Sequence, residues 1–378
     1  MRRLAVLTSG RQDWGILRST CRLLLADPRF ELLVLAGGMH LSPPHGRTLS
    51  LLEGEGVRVA ERLSWLPVGE LPAPWDQAGS ALRLVGESLG RLRPEALLLT
   101  GDRLETAAAA LAATVGAVPI AHLHGGEETE GAFDNQLRHA VTKMSHLHLV
   151  THADHAARVT AMGEDPRTIH VVGAPGLDNA HRPDLPSRSE LEADLGLPLR
   201  PPVVLVTLHP ATLGEDPARE AEALADAMDA VPATYVVTLP NADPGAGRIR
   251  ARLLEAASKP GRKALEALGE RRYWGLLRAA DAVLGNSSSG LIEAPLLGLP
   301  AVNVGDRQKG RLRGTNVLDA EPRGPSVAAA LSRAISSEFR RGLDGTSPYG
   351  DGRSADRIAR ILARWTPPVP PRKSSAKR

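Results

Sequence analysis

Four polar segments that contain glycine follow short apolar runs in the first half of the sequence. They are Ser9-Gly10-Arg11, Gly37-Gly38-Met39-His40, Gly101-Asp102-Arg103 and His124-Gly125-Gly126-Glu127. Because ligands bind at the carboxyl ends of parallel strands, we expect the four segments to converge on one crevice. The candidates there for moving a carbon-bound proton are carboxylates and imidazoles held away from bulk water, together with a nearby arginine. They are Asp102, Glu105, His124, Glu127, Asp134 and Arg138.

The second half contains a Gly/Ser turn, Gly285 to Gly290, followed by Glu293. A strand, such a turn and a helix start would present backbone N–H groups and hydroxyls to an anion such as a diphosphate. Glu293, about one turn further, could accept hydrogen bonds from a ribose diol. The simpler alternative is a serine N-cap without a ligand. Two further candidates for diphosphate binding lie at the same edge, namely His209, after a buried strand, and the Arg307 to Arg311 loop. The alternatives are that the histidine is structural and that the loop is merely solvated.

Seven histidines lie close together in the first half, which raises the question of a metal site. They are His122, His124, His139, His146, His148, His152 and His155. The H-E-x-x-H pattern of zinc enzymes is absent, there is no cysteine partner, and strand alternation places His122 and His124 on one face and the others elsewhere. We therefore expect no metal. The sequence also lacks the P-loop motif and a G-x-G-x-x-G after the first strand, which weakens NTPase and dinucleotide oxidoreductase interpretations.

Short apolar runs alternate with helical patterns, which is typical of parallel βαβ units. The predicted strands are 4–7, 31–36, 96–100, 119–123, 147–150 and 169–172 in the first half, and 203–208, 234–239, 282–284 and 301–304 in the second. A Pro-rich, charged stretch at 182–202 separates the two series. We expect an N-terminal Rossmann-like domain at 1–180, a nucleotide-binding one at 181–350, a helix at 351–367 that packs back on the first, and a disordered tail at 368–378.

Composition excludes several classes of protein. The chain has 378 residues, a net charge of +3 and a pI of about 9.2, with arginines spread beside acidic residues, so we expect no nucleic-acid partner. No apolar stretch approaches the roughly 20 residues of a membrane span, and the apolar run at the start is too short for a signal peptide. We expect a cytoplasmic protein. The single cysteine, Cys21, excludes an internal disulfide and is interpreted as a core residue.

The motifs together resemble the hydrolysing UDP-N-acetylglucosamine 2-epimerases of bacterial sialic acid synthesis. The resemblance rests on Thr8–Gly15, Gly38–Leu41, Gly101–Glu105, His122–Glu127 with Asp134, Arg138 and His139, Thr142–His146, Asn241–Asp243 and Gly285–Arg311. Their order and spacing match over nearly the whole chain, which is far more specific than any single motif.

The resemblance implies an α/β protein of GT-B architecture, with two Rossmann-like domains whose parallel sheets face each other across a cleft. It implies conversion of UDP-N-acetylglucosamine to UDP and N-acetylmannosamine, without a metal or redox cofactor. In that reaction a base removes the C2 proton, UDP is eliminated, and water adds to 2-acetamidoglucal with inversion at C2. The family also implies a homodimer or homotetramer formed through the first domain.

The roles carried over by the resemblance fall into two groups. Asp102, Glu127 and Asp134 are the acid-base carriers, with His124 as a partner or substitute. The residues that bind the substrate or its UDP are Arg11, Asp13, His40, Arg138, His209, Asn241, Asp243, Asn286, Ser287, Ser288, Ser289, Glu293 and Arg307.

Two departures leave the base and the sugar open. Some relatives have Glu at the position of His124, and many have a second acidic residue at the position of Asn135. The alternatives are the same chemistry on a UDP- or GDP-linked 2,4-diacetamido-2,4,6-trideoxy sugar, as in legionaminic acid synthesis, a GT-B glycosyltransferase, a non-hydrolysing epimerase and a non-catalytic sensor of sugar nucleotides.

Overall fold

The computed structural model describes residues 1–42, 48–67, 72–128, 134–210, 217–240, 246–266 and 268–373. The chain divides into two compact units. The first comprises Met1–Glu127, Phe133–Asp178 and Gly352–Arg378, and the second comprises Glu128–Ala132 and Asn179–Asp351. No helix within the described ranges is both long enough and apolar enough to cross a bilayer.

In the described part of the first unit, seven parallel strands form one sheet. They are β1 (Arg2–Thr8), β2 (Phe30–Gly37), β3 (Val59–Leu63), β4 (Ala96–Thr100), β5 (Ile120–Leu123), β6 (Leu147–Val150) and β7 (Ile169–Val171). Their spatial order is β3-β2-β1-β4-β5-β6-β7. The central strands are apolar along their whole length because both faces of a parallel sheet are covered. The order reverses between β1 and β4, so the crevice at a topological switch point opens after these two strands.

The described part of the second unit repeats this architecture with six parallel strands. They are β8 (Val203–Thr207), β9 (Thr234–Thr238), β10 (Arg262–Leu265), β11 (Ala282–Gly285), β12 (Ala301–Val304) and β13 (Val317–Ala320). The order is β10-β9-β8-β11-β12-β13, which places the switch point between β8 and β11.

Helices connect the strands and cover both sheets. In chain order they are α1 (Arg11–Ala26), α2 (Leu49–Gly54), α3 (Pro74–Leu92), α4 (Leu104–Val115), α5 (Asp134–Met144), α6 (Ala153–Ala161), α7 (Arg188–Leu195), α8 (Pro217–Ala230), α9 (Ala246–Ala256), α10 (Gly269–Ala279), α11 (Ser289–Ile292), α12 (Gly324–Ala334), α13 (Ser337–Arg341) and α14 (Ser354–Arg364). Helix α1 shows why they pack: Trp14, Leu17, Cys21 and Leu24 recur at helical spacing and are all buried.

The last helix, α14, belongs to the first unit. Its residues Ile358 and Leu362 are buried in one core with Leu17 of α1 and Leu4 of β1. Of the tail expected to be disordered, 368–378, the structure describes residues 368–373, and the expectation stays a prediction. Lys373, in this segment, forms an ion pair with Glu164 at 2.7 Å. Residues 374–378 lie outside the described ranges.

Candidate active site

Loops that follow neighbouring strands of the first sheet carry most of the predicted acid-base residues. Ser9 follows β1, Asp102 follows β4, the segment from His124 to Glu127 follows β5, and Thr151 follows β6. These four strands are adjacent in the sheet. The topology therefore places side chains that are far apart in sequence at one edge, as the sequence predicts.

A buried arginine joins two of the predicted carboxylates. Arg138, on α5 and 4% exposed, donates from Nη2 to Oδ2 of Asp102. Its Nη1 atom lies 3.9 Å from Oε2 of Glu127, which is also buried. Buried charges of one sign are costly unless an opposite charge accompanies them. Arg138 therefore permits two carboxylates to remain ionised near each other inside the first unit.

His124 extends this network. Its Nδ1 lies 2.7 Å from Oε1 of Glu127. Its Nε2 is buried, and among the described residues it has no hydrogen-bond partner. The backbone of His124 has φ of +65°, a left-handed conformation uncommon for residues other than glycine. The turn continues at Gly126, φ +76°, where a Cβ would lie 2.5 Å from the carbonyl oxygen of His155. The tight turn aims the imidazole at Glu127.

His122 is a neutral structural histidine. It is fully buried, its Nε2 donates to the carbonyl oxygen of Gly101 at 2.8 Å, and its Nδ1 accepts from the hydroxyl of Thr142 at 3.3 Å. Burial lowers the pKa of His122 to about 3. Among the described residues, no group of three or more His, Cys, Asp or Glu side chains is arranged to hold a metal ion.

A second network lies around the loop after β1. The backbone N–H of Ser9 donates to Oδ2 of Asp13 at 2.9 Å, and the Ser9 hydroxyl lies between Asp13 and Oε1 of Glu105, 2.6 Å from the latter. Arg103 donates from Nε to the same Glu105 oxygen at 2.8 Å. Burial raises the pKa of Asp13 and also that of Asp134, although Arg103 opposes both changes. Asp134 therefore interacts electrostatically with Arg103 and Glu105.

His40 and Arg11, two predicted substrate contacts, lie in different surroundings. His40 is fully buried, with Nε2 2.9 Å from the Thr8 hydroxyl and Nδ1 2.8 Å from the Thr48 hydroxyl. Burial lowers its pKa to about 4, so the ring is neutral near pH 7. Both nitrogens are used in holding the loop after β2. Arg11, the first residue of α1, is exposed.

In the second unit, the buried Asn286 joins the loops after three strands. Its Oδ1 accepts from the backbone N–H of His209 at 2.8 Å, and its Nδ2 donates to the His209 carbonyl oxygen and to Oε2 of Glu220, each at 2.8 Å. Its own carbonyl oxygen accepts from Arg307 at 3.1 Å and from Gln308 at 2.9 Å. Asn286 therefore holds the backbone of His209 through its side-chain amide, and it holds the guanidinium of Arg307 through its own carbonyl oxygen.

The Gly/Ser turn after β11 leads into a short helix that ends just before Glu293. Helix α11 has four residues and is followed by a 3-10 turn at Ala294–Leu297. A helix of one turn has a small dipole, so hydroxyls, loop N–H groups and Arg307 must supply most of any attraction for a diphosphate. Ser287 and Ser288 are half-buried, and the Ser287 hydroxyl accepts from the N–H of Ser289 at 3.3 Å.

Sequence reasoning did not single out several residues that hold these sites together. Tyr273 of α10 lies close to Ser287, Ser289 and Glu293, and burial raises its pKa. Burial also raises the pKa of Glu220 to about 7. An aromatic or acidic residue within a helix carries no signal of this kind in a single sequence. Asn241 and Asp243, both predicted ligands, lie outside the described residues.

Two doubly wound parallel α/β units with polar loops at the carboxyl ends of their strands define a protein of the GT-B class. A model of the UDP-N-acetylglucosamine 2-epimerase family matches residues 22–363. The chain is 31% identical over 345 residues to GDP/UDP-N,N'-diacetylbacillosamine 2-epimerase (hydrolyzing) of Campylobacter jejuni, covering 90% of this chain and 89% of the relative. It is 29% identical over 370 residues to a UDP-N-acetylglucosamine 2-epimerase of Neisseria meningitidis, covering 96% and 95%.

A solved structure of similar fold is the UDP-GlcNAc 2-epimerase from Neisseria meningitidis bound to UDP-GlcNAc. It matches with a TM-score of 0.83 at 16% identity, covering 96% of this chain and 99% of that one. The chain belongs to the UDP-N-acetylglucosamine 2-epimerase family. The family and the fold class expected from the motifs are thereby confirmed.

Proposed function

We propose that this protein is a hydrolysing 2-epimerase that converts UDP-N-acetylglucosamine to UDP and N-acetylmannosamine. The observation that carries the proposal is the network that the buried Arg138 and Glu127 form with the half-buried Asp102 and His124 at the carboxyl edge of the first sheet. A glycosyltransferase with the same fold transfers a sugar without removing a carbon-bound proton, and has no need of such a network.

The reaction makes two demands on the first unit. A base must accept the C2 proton while UDP leaves from C1, and an acid must deliver a proton to the opposite face of C2 when water adds at C1. Asp102, Glu127, Asp134 and His124 are the groups for these steps. Asp134 fits the role of acid because burial raises its pKa, which keeps it protonated at higher pH than an ordinary aspartate.

The second unit would hold the leaving nucleotide. Arg307, whose guanidinium is anchored on the carbonyl of Asn286, offers positive charge, and the half-buried hydroxyls of Ser287 and Ser288 offer donors. Glu293 lies near Tyr273 beside the same turn and would accept hydrogen bonds from the ribose. Preorganised donors of this kind stabilise a departing diphosphate more than its bound ester.

A second substrate class has support from the comparisons. The relative in Campylobacter jejuni is named for a GDP- or UDP-linked N,N'-diacetylbacillosamine, and its identity to this chain is as high as that of the Neisseria protein. The second candidate is therefore a nucleotide-linked 2,4-diacetamido-2,4,6-trideoxy sugar undergoing the same elimination and hydration.

An NMR time course in D2O would test the proposal, with UDP-N-acetylglucosamine and the UDP-linked diacetamido analogue in parallel. We expect release of UDP with N-acetylmannosamine deuterated at C2. Turnover of the analogue alone would assign the second substrate class. An epimer that stays linked to UDP, transfer of the sugar to an acceptor, or no reaction with either substrate would refute the hydrolysing assignment.

The acid-base network has its own test in Asp102→Asn. This change keeps the size of the side chain and removes the charge that faces Arg138. We expect kcat to fall by about 100-fold or more, the usual size of an acid-base contribution. The control is Glu87→Gln, which removes an exposed carboxylate paired with Arg83 on the surface of α3. Equal kcat values for the two variants would refute a role for the network.

A further inference from the structure

A line of four hydrogen-bonded side chains ends at His124, whose Nε2 has no hydrogen-bond partner among the described residues. His124 Nδ1 lies 2.7 Å from Oε1 of Glu127, and the hydroxyl of Thr151 donates to the same oxygen at 3.0 Å. The hydroxyl oxygen of Thr151 lies 2.7 Å from Nδ1 of His155, on the first turns of α6. Thr151, His155 and Glu127 are all buried.

The protons in this line have one consistent arrangement. A hydroxyl has a single proton, and Thr151 donates it to the carboxylate, so His155 must donate its Nδ1 proton to the Thr151 oxygen. An ionised carboxylate has no proton to give, so His124 must donate from Nδ1 to Glu127. The neutral imidazole of His124 then has its lone pair on Nε2. That atom is buried and has no hydrogen-bond partner among the described residues.

Glu127 is poorly suited to take a proton itself. Its Oε1 already accepts two hydrogen bonds, and Oε2 lies 3.9 Å from the guanidinium of Arg138. Donors and a nearby positive charge stabilise the ionised form of a carboxylate and so weaken it as a base. A carboxylate placed behind an imidazole instead stabilises the imidazolium that forms when the other nitrogen accepts a proton.

We propose that Nε2 of His124 is the atom that receives the C2 proton, and that Thr151 and His155 are positioning residues that hold Glu127 and thereby the tautomer of His124. In the elimination, the proton moves from C2 to Nε2, and the C–H electron pair becomes the C1–C2 double bond. The C1–O bond breaks with its pair leaving on UDP. The imidazolium then loses its proton to water. The assignment rests on the proposed function.

Other titratable and charged groups face this line and would shape its pH dependence. Arg158 of α6 donates to the carbonyl oxygen of Gly126 and lies close enough to His155 to disfavour its charge, as does His152. Arg138 and His122 approach from α5 and β5. Burial lowers the pKa of His155 to about 4, so His155 stays neutral and keeps its donor role through the neutral pH range.

The tautomer of His124 can be determined without substrate by two-dimensional NMR of protein that contains 15N-labelled histidine. The His124 signals are assigned by their absence from the spectrum of His124→Gln. We expect His124 to carry its proton on Nδ1 and a lone pair on Nε2 at pH 7.5. In Thr151→Val, which removes the donor to Glu127, we expect signals of both tautomers. Thr151→Ser keeps the hydroxyl and should restore the single tautomer. A proton on Nε2 in the wild-type protein would overturn the proposal.

Kinetics separate positioning from a merely structural role. We expect Thr151→Val to lower kcat about tenfold with little change in KM, the usual cost of a lost hydrogen bond to a charged group, and to move the acidic limb of the pH profile. Thr151→Ser should recover most of kcat. The matched control is Thr160→Val, an exposed threonine on α6, the helix that carries His155, which should leave kcat and the pH profile unchanged.

The decisive variant is His124→Gln, which keeps a donor near Glu127 but removes the basic nitrogen. We expect kcat to fall by about 100-fold or more, with UDP and C2-deuterated N-acetylmannosamine both formed at the reduced rate. If the wild-type protein turns over substrate and His124→Gln retains a tenth of the wild-type kcat, the assignment of the base is overturned. The proposed function is left intact by that result. Absence of turnover by the wild-type protein would overturn both. Circular dichroism confirms that each variant is folded before its rate is compared.

Discussion

Glu164 is the buried anion on which three donors of the first unit meet, and its replacement by glutamine gives a quantitative test of the structure. The residue is 2% exposed. Its Oε1 accepts from Lys143 at 2.6 Å, and its Oε2 accepts from His148 at 3.0 Å and from Lys373 at 2.7 Å. Burial opposes ionisation, but the hydrogen bonds from these three side chains prevail and lower the pKa of Glu164 to about 2.

The lowered pKa sets both the size and the pH range of the effect. A decrease from the usual 4.5 to about 2 corresponds to ~3 kcal/mol of stability when the carboxylate is ionised. Because the folded pKa is depressed, this stability is present above pH 4.5 and is lost as the pH falls toward 2. Glutamine keeps the shape but leaves Lys143 and Lys373 without a counter-charge. We therefore expect Glu164→Gln to lower the free energy of unfolding by ~2–3 kcal/mol at pH 7 and to leave it almost unchanged near pH 2.

Urea denaturation followed by tryptophan fluorescence measures this difference. Four of the five tryptophans belong to the first unit, namely Trp14, Trp65, Trp75 and Trp365, so the signal reports chiefly on its unfolding. The control is Glu87→Gln, a surface carboxylate whose ion pair should contribute less than ~1 kcal/mol. A Glu164→Gln variant within ~0.5 kcal/mol of wild type at pH 7, or a difference that does not shrink on acidification, would refute the reasoning.

Three further stability predictions follow from other buried groups. Burial raises the pKa of Glu220 to about 7, so its ionisation costs stability as the pH rises from 4.5 through 7. In urea titrations, the free energy of unfolding of Glu220→Gln should equal that of wild type at pH 4 and exceed it by ~1 kcal/mol at pH 8. A difference that does not change with pH would contradict this. Gly285→Ala should cost more than ~3 kcal/mol in the same assay, because φ is +132° and the new Cβ would lie 2.0 Å from the carbonyl oxygen of Thr207. Ile358→Ala in α14 should lower the free energy of unfolding by ~2–5 kcal/mol and Ile361→Ala, at a partly exposed position, by clearly less; equal losses would argue against burial of α14 in the core.

The strands that sequence reasoning missed share one physical feature. Every predicted strand is a nearly continuous apolar run, and the structure has a strand at each of them. The strands β3, β10 and β13 were not predicted, and all three lie at the edges of their sheets. An edge strand is covered on fewer sides, so it can carry Glu61 and Arg62, or Arg262 and Lys263, and loses the apolar signature. The apolar pattern therefore reveals the sheet centres, where the polar loops are placed.

The sequence predicts which loops form the candidate site, but it does not predict which side chains pair with each other there. Asp102, Glu127 and Arg138 meet as the parallel topology requires. The separate grouping of Asp134 with Arg103 depends on side-chain packing, which no spacing in the sequence encodes. Asn286 illustrates the same limit: its type suits a ligand contact, yet its amide is consumed by backbone and carboxylate partners.

The histidines between β5 and α6 show how position in the fold separates structural imidazoles from one that can move a proton. Period-two alternation would place His122 and His124 on the same face, but β5 ends at Leu123, and the left-handed backbone of His124 turns its ring away from the sheet toward Glu127. His122, still inside the strand, is left with both nitrogens bonded and its pKa lowered by burial. A general base needs one nitrogen bonded to an orienting group and the other free. Of these two imidazoles, only that of His124 combines a carboxylate on one nitrogen with a second nitrogen that has no partner in the described part of the chain, because the chain leaves the strand one residue before it.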